Sequence, residues 1–140
     1  MTELDKLITE RVNQPFEWGR NDCVTFCMQA IKCATGVDHL NLENVRTWNT
    51  PQSAKKTLLK MKITSMYDLF DERFREIKNP LKLRDGDIGI APVGANENFS
   101  RDTALIYYKD IFLAPGLHGL ERISVDLIDH FFDIRNIRIR

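Results

Sequence analysis

The sequence contains few features that would cross-link the chain or give it a strong overall charge. It has three cysteines among 140 residues. An odd count predicts no disulfide framework, and such usage is typical of a reducing compartment during synthesis. Acidic and basic residues balance to a formal net charge of +0. No global field therefore favours nucleic acid or an anionic membrane, and we expect no nucleic-acid partner.

Long apolar runs are also absent. No stretch of about 18 apolar residues occurs, so no membrane span is expected. Residues 1–5 lack the basic region and apolar core of a secretory signal. Hydrophobic residues make up 43% and charged residues 29% of the chain, which is ordinary for a globular protein. We expect one domain over residues 1–140, with a core that needs no disulfide or metal.

Apolar spacing predicts helices in the first half of the chain. They are predicted at 2–13, 22–34, 51–61 and 65–74. Thr2 and Thr50 are suitable caps for the first and third helices, Pro51 suits a first helical position, and Gly36 can end the second helix. The intervening residues 37–50 are predicted to form a loop that Trp48 anchors.

The pattern changes at residues 85–87, where Asp-Gly-Asp signals a turn. Short runs beyond it predict strands at 87–91, 103–109, 110–114 and 121–125. Residues 126–132 are predicted as a short helix. Residues 133–139 are predicted as a last strand at the edge of the sheet, because isoleucine alternates with basic residues there. Helices followed by an antiparallel meander indicate an α+β fold.

The most informative block is residues 15–23, Pro-Phe-Glu-Trp-Gly-Arg-Asn-Asp-Cys. It leads directly into the second predicted helix, so Cys23 falls at a helix N-terminus, after a turn at Gly19. Backbone N–H groups and the helix dipole favour a thiolate at such a position. Cys23 is therefore a candidate nucleophile.

This block resembles the nucleophile segment of the NlpC-type cell-wall cysteine peptidases, which are small papain-like domains. It more closely resembles a phage-associated branch with a Pro-Phe-x-Trp-Gly-x-x-Asp-Cys block, which Trp18, Gly19, Asp22 and Cys23 match. A weaker resemblance continues through residues 83–88 and 112–120. It implies a minimal papain-like fold, in which N-terminal helices, including the cysteine helix, pack on a C-terminal antiparallel sheet.

The resemblance also implies a histidine base and a third polar residue on neighbouring strands. Where that family has roughly His-x-Gly-Ile-Tyr, this chain has Thr-Ala-Leu-Ile-Tyr, with Thr103 in the place of the histidine. Where the family has roughly Ile-His-Ala-Pro-Gly, Leu113 fills the place of the third residue. Threonine cannot take a thiol proton at neutral pH, and leucine cannot orient a base, so we expect an incomplete site.

The remaining ionisable residues offer few substitutes. His118 lies in a turn and would act as a displaced base only if that turn folded over Cys23; the alternative is an exposed turn residue. His39 and His130 are expected to have loop and packing roles. Asp22 is expected to cap the helix or hold the loop. Cys23 and Cys27 without a nearby histidine pair make a poor zinc site, and no metal or cofactor is expected.

Two functions stay open at this point. The resemblance implies a structural or assembly component of a phage tail or tail tip, with other tail proteins as partners. Such a protein would be made in the host cytoplasm and carried in the virion. The alternative is an active cysteine hydrolase, an endopeptidase or amidase that cuts peptidoglycan stem peptides through Cys23. An imidazole close to Cys23 would support the hydrolase, whereas a wall formed by Thr103, Leu113 and aromatic rings would support the structural component.

Overall fold

The computed structural model describes residues 1–42, 48–92 and 102–138. In these residues all four helices precede the six strands, and the strands form one antiparallel sheet. The helices are α1 (Glu3–Arg11), α2 (Cys23–Thr35), α3 (Pro51–Lys60) and α4 (Met66–Asp71). The strands are β1 (Phe74–Ile77), β2 (Ile88–Ala91), β3 (Thr103–Tyr108), β4 (Ile111–Gly116), β5 (Gly119–Ile123) and β6 (His130–Ile137). The predicted α+β fold, with the cysteine helix packed on a C-terminal antiparallel sheet, is confirmed.

Side-chain caps determine where the helices begin. In each case a hydroxyl or carboxylate oxygen accepts a bond from the backbone N–H three residues later, which satisfies an otherwise unpaired donor. The capping residues are Thr2, Asp22, Thr50 and Ser65. Helix α2 ends at Gly36, whose φ of 81° is left-handed and whose N–H donates to the carbonyl of Lys32. The predicted helix starts and this end are confirmed.

The sheet order is β1-β6-β2-β3-β4-β5. Strands β2 to β5 form the expected meander, and β6 then returns to pair with β2 on one side and β1 on the other. The prediction of an edge strand at 133–139 was therefore wrong, because β6 lies inside the sheet. Residues 43–47 of the predicted loop and residue 139 of this strand lie outside the described residues.

Two other boundaries also differ from prediction. Residues 126–132 were predicted as a helix, but only a single 3-10 turn, Val125–Leu127, precedes β6. Strand pairing takes Phe131 and Phe132 instead, opposite Gly89 and Ile88. The fourth helix ends at Asp71, and strand β1, which the sequence did not reveal, begins at Phe74. Both errors arise because pairing between distant segments outweighs the local helical pattern.

The sheet has two apolar faces. The face toward the helices carries Ala104 and Ile106, which belong to the same core as Cys23. The opposite face carries a smaller cluster that includes Leu105 and Phe112. This division follows the alternation of side chains along β3 and β4. It decides which strand residues meet the candidate nucleophile.

Candidate functional site

The turn before α2 requires glycine at position 19. Gly19 has a φ of +84°, and a Cβ added there would lie 2.1 Å from the carbonyl oxygen of Trp48. The turn is closed by a bridge between Glu17 and Asn21, in which the Asn21 N–H donates to the Glu17 carbonyl over 2.8 Å. Gly19 is therefore needed both for the backbone conformation and for the close approach of residue 48.

Asp22 is a structural acceptor. One carboxylate oxygen accepts from the Thr25 N–H at 2.8 Å and so caps α2. The other accepts from the Gly19 N–H at 2.8 Å and from the indole Nε1–H of Trp48 at 2.7 Å. The side chain is buried, with 1% of Asp22 exposed. The predicted capping role of Asp22 and the anchoring role of Trp48 are both confirmed.

Asn21 is a second organising residue, for which the sequence pattern indicated no role. Its side-chain NH2 donates to the carbonyls of Gln14 and Pro15, and its oxygen accepts from the Arg11 guanidinium at 3.0 Å. Arg11 also hydrogen-bonds Gln29 on α2. A buried asparagine that joins a turn to two helices explains a polar residue in this block without any catalytic role.

Trp18 belongs to the same structural unit. It is half-buried, packs against the helix-side core and meets the Phe16 ring edge-on at 4.9 Å between centroids. The Phe16 N–H donates to the Gly116 carbonyl at 2.7 Å, which ties the block to the end of β4. Trp18 and its neighbours thus connect the helix layer to the sheet.

Cys23 is the first residue of α2, as predicted, but it is only 1% exposed. Burial, followed by the adjacent Asp22 carboxylate, raises the pKa of Cys23 to about 12, although backbone hydrogen bonds from Ala104, Cys23 and Val24 act in the opposite direction. Removal of the thiol from water therefore outweighs the helix N-terminus. At neutral pH the side chain is a neutral thiol.

The strand residue that meets Cys23 is Ala104. Its backbone contributes a hydrogen bond to Cys23, and its side chain shares the helix-side core. Because side chains alternate along a strand, the Thr103 side chain lies on the opposite face of the sheet. Thr103 is 3% exposed, and its hydroxyl has no hydrogen-bond partner among the described residues. Leu113 lies on the helix side, opposite Ile106. The resemblance indicated that Thr103 faces Cys23. In the structure the strand residue that faces Cys23 is Ala104.

The histidines lie in three different environments. His118 is exposed in the turn between β4 and β5. His39 meets the edge of the Phe74 ring at 5.7 Å, beyond the far end of α2. His130 lies on β6, with Nδ1 3.0 Å from a carboxylate oxygen of Glu76. The half-buried packing role expected for His130 matches this placement, and the role of His118 as a base stays a prediction.

The other cysteines have structural positions on α2. Cys27 is completely buried, and burial raises its pKa well above the usual value. Cys33 is half-buried, and burial raises its pKa as well. Within residues 1–42, 48–92 and 102–138 no group of histidine, cysteine and carboxylate side chains could hold a metal ion. Over the same residues, no helix has the length and apolarity needed to span a bilayer.

Together these features define an α+β domain in which a buried cysteine is the first residue of a helix that follows a hydrogen-bonded turn. The chain belongs to the family described as a domain of unknown function, DUF6950, whose model matches residues 1–134. No curated protein and no solved structure matches the chain.

Proposed function

We propose that this chain is a non-hydrolytic, papain-like component of a phage tail or tail tip, with other tail proteins as its partners. The phage context comes from the resemblance of residues 15–23 to the phage-associated branch. The non-hydrolytic role is supported by the environment of Cys23. Such a protein is made in the host cytoplasm and carried in the virion.

The observation that carries the proposal is the burial of Cys23. A cysteine nucleophile must reach its substrate and exist substantially as a thiolate. Cys23 is 1% exposed, and its pKa is raised to about 12. Two of the motif residues have structural explanations, because Gly19 leaves room for the Trp48 carbonyl and Asp22 accepts three hydrogen bonds.

A genetic comparison tests this proposal. In the phage or prophage that encodes the chain, deleting the gene should stop the assembly of infectious tails, and Cys23→Ala should leave the particle yield within about twofold. Cys27→Ala is the matched control, because Cys27 is equally buried one helical turn away. Virions that lack the chain, or a deletion without effect on tails, would contradict the structural role.

The alternative function, a peptidoglycan endopeptidase or amidase, makes the opposite prediction for the same allele. Cys23→Ala would then reproduce the deletion, whereas Cys27→Ala would not. Purified wild-type protein would also release products from peptidoglycan stem peptides, and the Cys23→Ala protein would release none. The position of Cys23 at the first turn of α2 is the observation that keeps this alternative under test.

A further inference from the structure

A cavity of about 270 Å3 opens between α1 and the β5 edge of the sheet. It lies on the helix side, where α2 covers β3 and β4. The wall on one side comes from α1 and the residue that follows it, and the wall on the other side comes from β3, β4 and β5. The Leu120 N–H of β5 donates to the Val12 carbonyl at 3.1 Å, which fixes these two walls relative to each other.

The interior of this cavity is apolar. Its aliphatic lining residues are Ile8, Val12, Ile111, Leu113 and Leu120. The volume is slightly below the range of about 300–1,000 Å3 typical of drug-sized ligands, and larger than a cavity of about 150 Å3 that accepts benzene. It therefore suits the apolar part of a small molecule. Val12, at the rim, is 49% exposed, so the apolar surface continues to the opening.

The polar part of the lining is cationic. Lys109 and Arg122 are the two charged residues of the cavity. Neither forms an ion pair within the described parts of the chain. The Lys109 ammonium lies 5.2 Å from the centroid of the Tyr108 ring, which is within the range of a cation–π contact.

Tyr108 is itself held in place from outside the cavity. Its hydroxyl donates to Asp5 on α1, and this bond, with further bonds from Thr2, lowers the pKa of Asp5 to about 2. Asp5 is therefore ionised and offsets part of the Lys109 charge, whereas no carboxylate within residues 1–42, 48–92 and 102–138 forms an ion pair with Arg122. Arg122 is thus the main attraction for an anion.

From this juxtaposition we propose that the cavity binds a small amphipathic carboxylate, with its apolar body among Ile8, Leu113 and Leu120 and its carboxylate beside Arg122 and Lys109. Arginine suits this task because its fixed N–H groups match a carboxylate. The proposal goes beyond the tail role and does not depend on it, since the cavity is built from residues outside the Cys23 block.

Methyl NMR with octanoate as the probe tests the proposal. We expect saturable shifts at the methyl groups of Ile8, Ile111, Leu113 and Leu120, and weaker binding of 1-octanol, which has the same tail without the charge. Arg122→Gln should weaken octanoate binding about fivefold, the upper end for an exposed ion pair, and should leave octanol binding unchanged. Arg75→Gln is the matched control, because Arg75 is an exposed arginine on β1 at the opposite edge of the sheet.

A second variant tests the position of the apolar body. Val12→Trp fills the rim at an exposed position, so it should retain the fold and abolish the octanoate shifts. The proposal is overturned if millimolar octanoate produces no saturable shift. It is equally overturned if octanol binds as tightly as octanoate, or if Arg122→Gln and Arg75→Gln bind octanoate alike.

Discussion

The start of α2 and the cavity at the β5 edge differ in how their polar groups are satisfied. At the start of α2, the Asp22 carboxylate is buried and accepts three hydrogen bonds, and Cys23 beside it is excluded from water. At the β5 edge, the Arg122 charge is exposed and apolar surface faces solvent. The buried hydrogen bonds at the start of α2 therefore stabilise the fold, although the sequence there resembles a nucleophile segment. The cavity at the β5 edge has no sequence motif but has room for a ligand.

The largest effect expected at the start of α2 comes from Gly19→Ala. The new Cβ would meet the Trp48 carbonyl and would also occupy a left-handed conformation, so we expect a loss of roughly 3–4 kcal/mol in the free energy of unfolding. Gly36→Ala is the control, because Gly36 has a similar φ of +81° but nothing within 4 Å of the added Cβ. It should cost only about 1 kcal/mol. Equal losses in urea titrations would show that the close approach at Gly19 has no energetic weight.

Asp22→Ala should be nearly as costly. It removes a helix cap and leaves the N–H of Gly19 and the indole N–H of Trp48 buried without an acceptor, so we expect a loss of about 3 kcal/mol. Thr50→Ala removes a cap at an exposed helix start, where about 1 kcal/mol is expected. If chemical denaturation gave similar losses for the two variants, the network around Asp22 would contribute no more than an ordinary cap.

These first variants also show what the sequence could reveal. The caps at Thr2, Asp22 and Thr50 were predictable, because each depends on residues within one helical turn. The burial of Cys23 was not predictable in the same way, since it depends on Ala104 of β3, far along the chain. Nor was strand β1, because its pairing with β6 joins segments separated by more than fifty residues.

The buried carboxyl group of Asp87 should make the stability of the fold depend on pH. Asp87 is 0% exposed, and burial raises its pKa from 3.8 to about 6 despite bonds from the N–H groups of Arg84 and Ile134. The folded state therefore favours the protonated form. Protonated Asp87 therefore stabilises the folded state fully below about pH 3.8, and this stabilisation is lost as the pH rises through about 6.

The Asp87→Asn variant isolates this titration. Relative to the variant, the wild type should lose about 2 kcal/mol of unfolding free energy between pH 4 and pH 6.5. The measurement is a series of urea titrations of both proteins across that range. A difference that stays constant, or that grows in favour of the wild type as the pH rises, would mean that the hydrogen bonds to Asp87 outweigh its burial.

The smallest effect is expected at the open cavity. Arg122 is exposed and forms no ion pair in the described part of the chain, so Arg122→Gln should change the free energy of unfolding by less than about 0.5 kcal/mol. Thermal and urea unfolding can verify this together. A loss of more than about 1 kcal/mol in the free energy of unfolding would show that Arg122 stabilises the fold, as Asp22 does at the start of α2.

The rate of alkylation of Cys23 reports whether this side chain is a buried neutral thiol. Iodoacetamide modification would be followed by mass spectrometry from pH 6 to pH 9, with half-buried Cys33 and fully buried Cys27 as internal references. We expect Cys23 to react on the order of 100-fold more slowly than Cys33, at a rate set by opening of the fold. Modification of Cys23 at pH 6 to 7 as fast as that of Cys33, or faster, would reveal an accessible, stabilised thiolate and would overturn the assignment of Cys23 as a buried neutral thiol.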